Sequence, residues 1–395
     1  MLCKKNNRNE EVLPGYVGNT VSEEEMSRYW NILDKRVASN RDDAWIKYLH
    51  FGTKVIKLEC RLPHLYKILD KQFATIADDT VNHYDTAICF WEDDTNSCIN
   101  DLETDIYRLL IMCSFANGAV STIEFFRPIN LLMAYNAQTH THYFSSSDMS
   151  KERIVDLWGE HLFVSFLNKV ISDANTAVFH AAAIGIRGNG VLLCGRGGAG
   201  KSTLAVSALV DGFDFVSEDY CVFNKSDGLR AYPVYSTSSL SPEAIAQMND
   251  LKYEFLNDNW NNTKYVVELA AYHDRFVKML PIKAVFFPKI CEEKKPSIEK
   301  ISRGKVVAQT VHSTLLQLYK GSFKYADYAM WYKNGLEYVR HLTYSVNNQE
   351  SVKHLMSFFD GLDCYQINLC SNLKANVDIM REFIVGLNKN KMTEA

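Results

Sequence analysis

The sequence predicts an α/β protein in two units: a smaller α+β domain over residues 1–149, then a domain over 150–395 built around a strand, loop, helix and strand unit of the kind that carries phosphate-binding loops. Three observations carry this expectation. First, the apolar run VLLC at 191–194 leads into a glycine cluster and then a helical run, STLAVSAL, which is the order of a strand, loop and helix unit. Second, near Ser150 the hydrophobic pattern changes from short alternating runs to three- and four-residue spacings. Third, the chain has 395 residues, of which 47% are hydrophobic, enough for more than one unit of about 100–200 residues.

In chain order, residues 45–90 combine a short helical pattern, LPHLYKILDKQF, with strand-like runs at 53–58 and 86–91. Residues 107–135 continue with alternating apolar segments that include VSTIEFF and INLLMAY. From Ser150 a helix is expected, with Ile154, Leu157, Leu162, Phe166, Leu167 and Val170 on one face. Ser150 is its N-cap, without a capping box because Arg153 stands where Glu would close one. The stretch 177–223 then reads as strand 178–186, turn 187–190, strand 191–194, glycine loop, helix 201–209, a turn at Asp211 and Gly212, and strand 215–216. Beyond it, 282–287 reads as a strand and 305–318 and 352–359 as amphipathic helices.

Composition narrows the function classes. A net charge of −4 argues against a nucleic-acid binder, which needs a clustered basic surplus. No apolar stretch approaches the roughly 20 residues that cross a bilayer. The N-terminal MLCKKNNRNEEVLPG lacks the apolar core of a secretory signal, so a soluble cytoplasmic protein is expected, with no membrane partner. Ten cysteines lie scattered from Cys3 to Cys370 without a CxxC pair and read as buried thiols rather than disulfides. His140 and His142 form a close pair with no cysteine near them and read as a chance pair rather than a zinc site.

Gly195, Arg196, Gly197, Gly198, Ala199, Gly200, Lys201 and Ser202 fit GxxxxGK[ST] at every fixed position, and Thr203 follows. Glycines at this spacing let backbone amides wrap a polyphosphate at the positive end of the next helix. Lys201 then neutralises the terminal phosphates, and the Ser202 hydroxyl ligates magnesium. The flanks add His180, 21 residues before Lys201, and the adjacent carboxylates Glu218 and Asp219, 17 and 18 residues after it. If their strand neighbours that of the loop, one acid can hold magnesium while the other takes a proton from an incoming hydroxyl. Alone, His180 also reads as a satisfied histidine at a strand end, and the two acids as a solvated turn.

This combination resembles the HPr kinase/phosphorylase family, including relatives that phosphorylate peptides or act as small-molecule serine kinases. The resemblance rests on FHAAAIGIRGNG, VLLCGRGGAGKSTL and GFDFVSED, 34 residues within a stretch of about 45 that matches closely. It implies a P-loop domain of HPr kinase type with a mixed sheet and flanking helices, ATP (or GTP) and Mg2+ as cofactors, and self-association. The implied acceptor is a Ser hydroxyl of a peptide or protein, or a small hydroxyl compound. By the same resemblance His180 tunes the catalytic carboxylate, Glu218 is the general base and Asp219 the metal ligand, with these two roles open to exchange. Glu218 stands where the family has Asp. The downstream glycine-rich signature is absent, its place being taken by YPVYSTSSLSPEAIAQM, which points away from HPr itself as substrate. Lys264 is a candidate second cation for the phosphates or simply a solvated surface lysine, and Glu243 a further metal ligand or simply an acidic first turn. The competing expectation is a nucleotide-binding switch or assembly protein of a peptide-modification system, without phosphoryl transfer.

Overall fold

A computed structural model describes residues 17–39, 44–62, 66–92, 108–126, 131–146, 162–258, 264–304, 307–315, 317–318 and 349–387. The expected N-cap Ser150 and the first turns of its helix lie outside these residues; the last part is helix Leu162–Ile171. The chain forms two compact units, Met1–Ile46 with Lys57–Pro63 and Asp85–Met149, and Lys47–Ile56 with His64–Tyr84 and Ser150–Ala395. Segments 47–56 and 64–84, expected in the N-terminal domain, therefore group with the second unit. Polar contacts hold them there: Lys54 Nζ donates to the Ile171 carbonyl at 2.7 Å, the Thr75 amide donates to Ser236 Oγ at 2.9 Å, and Lys278 pairs with Asp78 at 2.7 Å.

The strands up to residue 146 are β1 (Val17–Thr20), β2 (Trp45–Phe51), β3 (Lys54–Cys60), β4 (Ala77–Asp78), β5 (Thr86–Glu92), β6 (Arg108–Ser114), β7 (Val120–Phe126), β8 (Leu131–Asn136) and β9 (Thr141–Ser146). The helices are α1 (Glu23–Ser39) and α2 (Tyr66–Phe73). In the first unit β6 to β9 form an antiparallel meander, with β1 parallel to β6 and β5 parallel to β9. Helix α1, which the sequence reading did not mark, buries Met26, Tyr29, Trp30 and Leu33 at helical spacing. They pack with Ile111, Ile123, Leu132 and Tyr143, and Trp30 stacks on Tyr143 with ring centroids 5.8 Å apart.

In the second unit the helices are α3 (Leu162–Ile171), α4 (Lys201–Val210), α5 (Pro242–Gln247), α6 (Gln349–Met356) and α7 (Leu373–Gly386). Its later strands are β10 (Thr176–His180), β11 (Ala182–Ile186), β12 (Asn189–Leu193), β13 (Asp214–Ser217), β14 (Tyr220–Asn224), β15 (Arg230–Pro233), β16 (Thr237–Leu240), β17 (Glu254–Asp258), β18 (Tyr265–Glu268), β19 (Leu280–Ile290), β20 (Ser297–Lys300) and β21 (Asp363–Leu369). The main sheet runs β10-β14-β15-β19-β12-β11-β13, with β21 also on β19 and β20 on β21, while β16-β18-β17 form a separate small sheet. One face packs on α4 and α7 through Leu204, Ala208, Val377 and Met380. The other packs on helical residues 307–315 through Val307, Val311 and Leu315, and on Phe358 and Phe359. A mixed sheet with helices on both faces is the α/β layering expected from the sequence.

The single strand expected over 178–186 is in fact two. β10 pairs antiparallel with β14 and β11 with β13; one register runs from Thr176↔Asn224 through His180↔Tyr220 to Ala183↔Ser217, after which the β11–β13 ladder shifts by one residue, to Ile184↔Phe215. Between them the ribbon is interrupted: the Ala181 amide donates to the Phe179 carbonyl at 3.1 Å, closing a three-residue turn. In this register residues 218 and 219 face residues 182 and 181. The break in the ladder is thus where both acids sit.

The glycines before the loop have a packing reason. Gly185 pairs with Gly190 across β11 and β12, and Leu280 lies over both. A Cβ on Gly190 would stand 2.6 Å from Leu280 Cγ and 2.6 Å from the Pro281 carbonyl oxygen, a backbone atom that cannot swing aside. Gly190→Ala is therefore expected to destabilise the chain by about 1–3 kcal/mol, read as a lower melting temperature. An unchanged melting temperature would refute this packing account.

All eight described cysteines are free thiols, and seven of them are buried. Among the described residues no helix is long and apolar enough to cross a membrane.

Candidate active site

The glycine cluster links β12 to α4. The Cys194 amide donates to the Phe286 carbonyl at 2.8 Å, carrying the parallel pairing with β19 one residue past β12, and the chain then turns through residues 195–200. Gly200 precedes α4 at φ 93°, a left-handed conformation that strains any side chain. No side chain caps the first amides of α4, so they are open to an anion. Arg196, Gly197 and Gly198 are exposed, Ser202 and Thr203 half-buried, and Lys201 is 5% exposed. The Lys201 ammonium folds back over the loop, donating to the Gly195 carbonyl at 2.8 Å and the Arg196 carbonyl at 3.3 Å. Burial pushes its pKa down, opposed by the charges of Asp219 and Glu218.

The sequence reading made the meeting of the acids with the loop conditional on neighbouring strands. β12 and β13 are not neighbours, because β11 lies between them. Both are antiparallel to β11 and hence parallel to each other, so their C-terminal ends leave the sheet on one edge about 10 Å apart. The charges of Glu218 and Asp219 nevertheless reach Lys201 across that gap.

Glu218 and Asp219 have opposite environments. Glu218 is 2% exposed; its Oε1 accepts from the Ser239 amide at 2.7 Å, and its Oε2 has no hydrogen-bond partner. Burial and the neighbouring Asp219 push its carboxyl up to about 7, while Lys264, the Ser202 hydroxyl and the Ser239 amide draw it back toward ionisation. For Asp219 burial acts in the same direction but is overcome. His180 Nε2 lies 2.9 Å from its Oδ1, and His180, Lys264 and Lys201 hold the carboxyl well below the usual carboxylate range. Two adjacent acids are thus pulled apart in proton affinity, the arrangement by which one keeps its charge while the other exchanges a proton near neutral pH.

His180 is fixed from both sides. Its backbone amide donates to Thr314 Oγ1 at 3.2 Å, and its Nδ1 lies 3.2 Å from Ser313 Oγ, leaving Nε2 aimed at Asp219. The Thr310 hydroxyl, one turn earlier on the same helix, interacts with the buried Cys194 thiol just before the loop. Thr310, Ser313 and Thr314 therefore form a polar stripe at i, i+3 and i+4 behind the site. The sequence reading missed them, although the QTVHST spacing was visible within the expected 305–318 helix. It also missed Ser239, which acts through a backbone amide and leaves no trace in side-chain chemistry.

The remaining candidates separate. Lys264 is near enough for its charge to reach Glu218, Asp219 and Lys201. Glu243 sits in the first turn of the short helix α5, where Ser241 accepts from the Ala244 amide at 3.2 Å as N-cap; this matches its reading as an acidic first turn. Tyr135 stacks on His142 at 4.4 Å and its hydroxyl lies 3.3 Å from His140 Nδ1. Among the described residues no group of three or more His, Cys, Asp or Glu side chains is arranged to hold a metal.

No family model matches the chain, and no curated protein sequence does. Among solved structures the chain is similar to the Hpr(Ser) kinase/phosphatase from Coxiella burnetii, at 13% sequence identity and a TM-score of 0.26, over 55% of this chain and 98% of that one, a distant likeness of fold.

Proposed function

We propose that this chain is an ATP-dependent kinase that transfers the γ-phosphoryl group to a hydroxyl, most readily the Ser hydroxyl of a peptide or protein. One observation carries the reading: Lys201 and Ser202 of a glycine loop converge with Glu218, Asp219 and His180 at one sheet edge, with the two acids set at opposite proton affinities. The loop amides and Lys201 hold the phosphates and take up charge that develops during transfer. Glu218, with one free oxygen, accepts the acceptor's proton as the new O–P bond forms and the bond to the departing ADP oxygen breaks. Asp219 stays ionised because His180 holds it.

Magnesium fits the donors present. They are hydroxyl and carboxylate oxygens, including the buried Glu218 Oε2 that has no hydrogen-bond partner, and such hard oxygens suit a cation that keeps waters and phosphates as its other ligands. Ser202 and Asp219 would hold it, and it would supply further neutralisation of the phosphate charge. The action of the Ser202 hydroxyl on Glu218 favours a second assignment, with Glu218 beside the metal and Asp219, tuned by His180, taking the proton.

The test is incubation of the full chain with ATP and magnesium alongside free serine, Ser-containing peptides and candidate proteins, followed by mass spectrometry. A phosphate gain on an acceptor that needs both Lys201 and an acid is the expected result. If nucleotide binds, no acceptor gains phosphate, and substitution of Glu218 leaves nucleotide turnover unchanged, the switch or assembly reading replaces this one.

A further inference from the structure

We propose that the nucleobase of the bound triphosphate packs on an aliphatic platform formed by Ile290, with Leu369 beside it on the neighbouring strand, at the ends of β19 and β21. This rests on the phosphate-binding reading above and adds the place where the base lies. The first argument is topological. β11 and β13, which carry the chain to Glu218 and Asp219, lie on one side of β12, whereas β19 and β21 lie on the other. Both are parallel to the strands beside them, β19 to β12 and β21 to β19, so their C-terminal residues Ile290 and Leu369 emerge at the same sheet edge as the loop.

The second argument is chemical. Phosphoryl transfer places the attacking and leaving oxygens in line on opposite sides of phosphorus. With the proton-accepting carboxylates on the β13 side, the attacking hydroxyl comes from that side and the nucleoside diphosphate leaves toward β19. Contact confirms that this is the adjoining surface: a Cβ on Gly200 would lie 2.8 Å from Leu369 Cδ1 and 3.6 Å from Ile290 Cγ1.

The third argument is exposure. Ile290 is 65% exposed, the most exposed large apolar residue among the described residues, while its strand neighbour Leu369 is 5% exposed. The two are register partners, and the Cys291 amide donates to the Leu369 carbonyl at 2.9 Å, which holds the end of β19 in place. A flat base laid on Ile290 removes apolar surface from water without rearranging the loop.

Binding of ATP and of inorganic tripolyphosphate to the full chain, each with magnesium, tests this by calorimetry in the native protein, Ile290→Ala and Ile290→Ser. Ile290 is exposed, so the variants should fold, and melting curves check that. The expected result is an ATP Kd raised about five- to tenfold with the tripolyphosphate Kd unchanged. An unchanged ATP Kd, or equal weakening of both ligands, overturns the platform. If the native chain binds tripolyphosphate as tightly as ATP, the platform fails while the phosphate loop stands. If it binds neither, the phosphate-binding reading fails as well.

Discussion

Lys201→Met is expected to weaken ATP binding by about 100-fold or more while leaving the chain folded. The ammonium is 5% exposed and sits 2.8 Å from the Gly195 carbonyl and 3.3 Å from that of Arg196, on the inner side of the glycine turn. A triphosphate entering the turn meets a cation already desolvated and aimed, so little ordering remains to oppose binding. Charge-assisted hydrogen bonds of this kind contribute roughly 1.5–3 kcal/mol each, and each 1.4 kcal/mol is tenfold in affinity. Methionine keeps the apolar stem that packs beneath the loop and removes only the charge. A calorimetric Kd for ATP within threefold of the native value, with a native melting temperature, would show that the loop does not use this lysine for phosphate.

Glu218→Gln is expected to reduce the rate of phosphoryl transfer by about 10²–10⁴-fold with ATP affinity little changed. The amide is close in shape and keeps an oxygen for the Ser239 amide, but it cannot accept the hydroxyl proton. Asp219→Asn separates the two assignments. If the roles are exchanged, Asp219→Asn carries the rate loss with ATP binding intact, and Glu218→Gln instead weakens the magnesium-dependent part of binding.

The same substitution has a stability signature in magnesium-free buffer. Burial, with Asp219 beside it, raises the Glu218 carboxyl from 4.5 to about 7 in the folded chain. Between those values the folded state holds a proton that the unfolded state has released. Stability contributed at this position is therefore present below about pH 4.5, falls as pH rises to about 7, and stays lowered above it. Gln carries no charge to bury, so Glu218→Gln should raise the melting temperature by a few degrees at about pH 8 and not at about pH 4.5. A gain equal at both pH values would show that the carboxylate is not desolvated as described.

Several elements were legible because they depend on neighbours in sequence. The strand, glycine turn and helix at 191–209 follow from local pattern, since apolar alternation, positive-φ glycines and a helical run need no distant partner. The residues between strands β10 and β11 were not legible. Ala181 reads like any alanine in a β run, and only the opposing strand, with Glu218 and Asp219 across from it, shows that the ladder breaks there. Helix α1 carries a stripe at helical spacing in Met26, Tyr29, Trp30 and Leu33, a purely local pattern.

What the sequence determined by itself was the chemistry available: a phosphate-type glycine loop with Lys201 and Ser202, a pair of acids, and a histidine at a set distance before them. What only the tertiary structure decided was how those groups differ. Glu218 and Asp219 are adjacent in the chain, yet one turns into a dry recess against the Ser239 amide while the other meets His180, and their proton affinities move in opposite directions. The reason is physical: charge in a protein is set by burial and by partners that arrive from other strands and helices. Ser239, Ser313 and Thr314 lie 20 to 95 residues further along the chain, where no local pattern ties them to the acids.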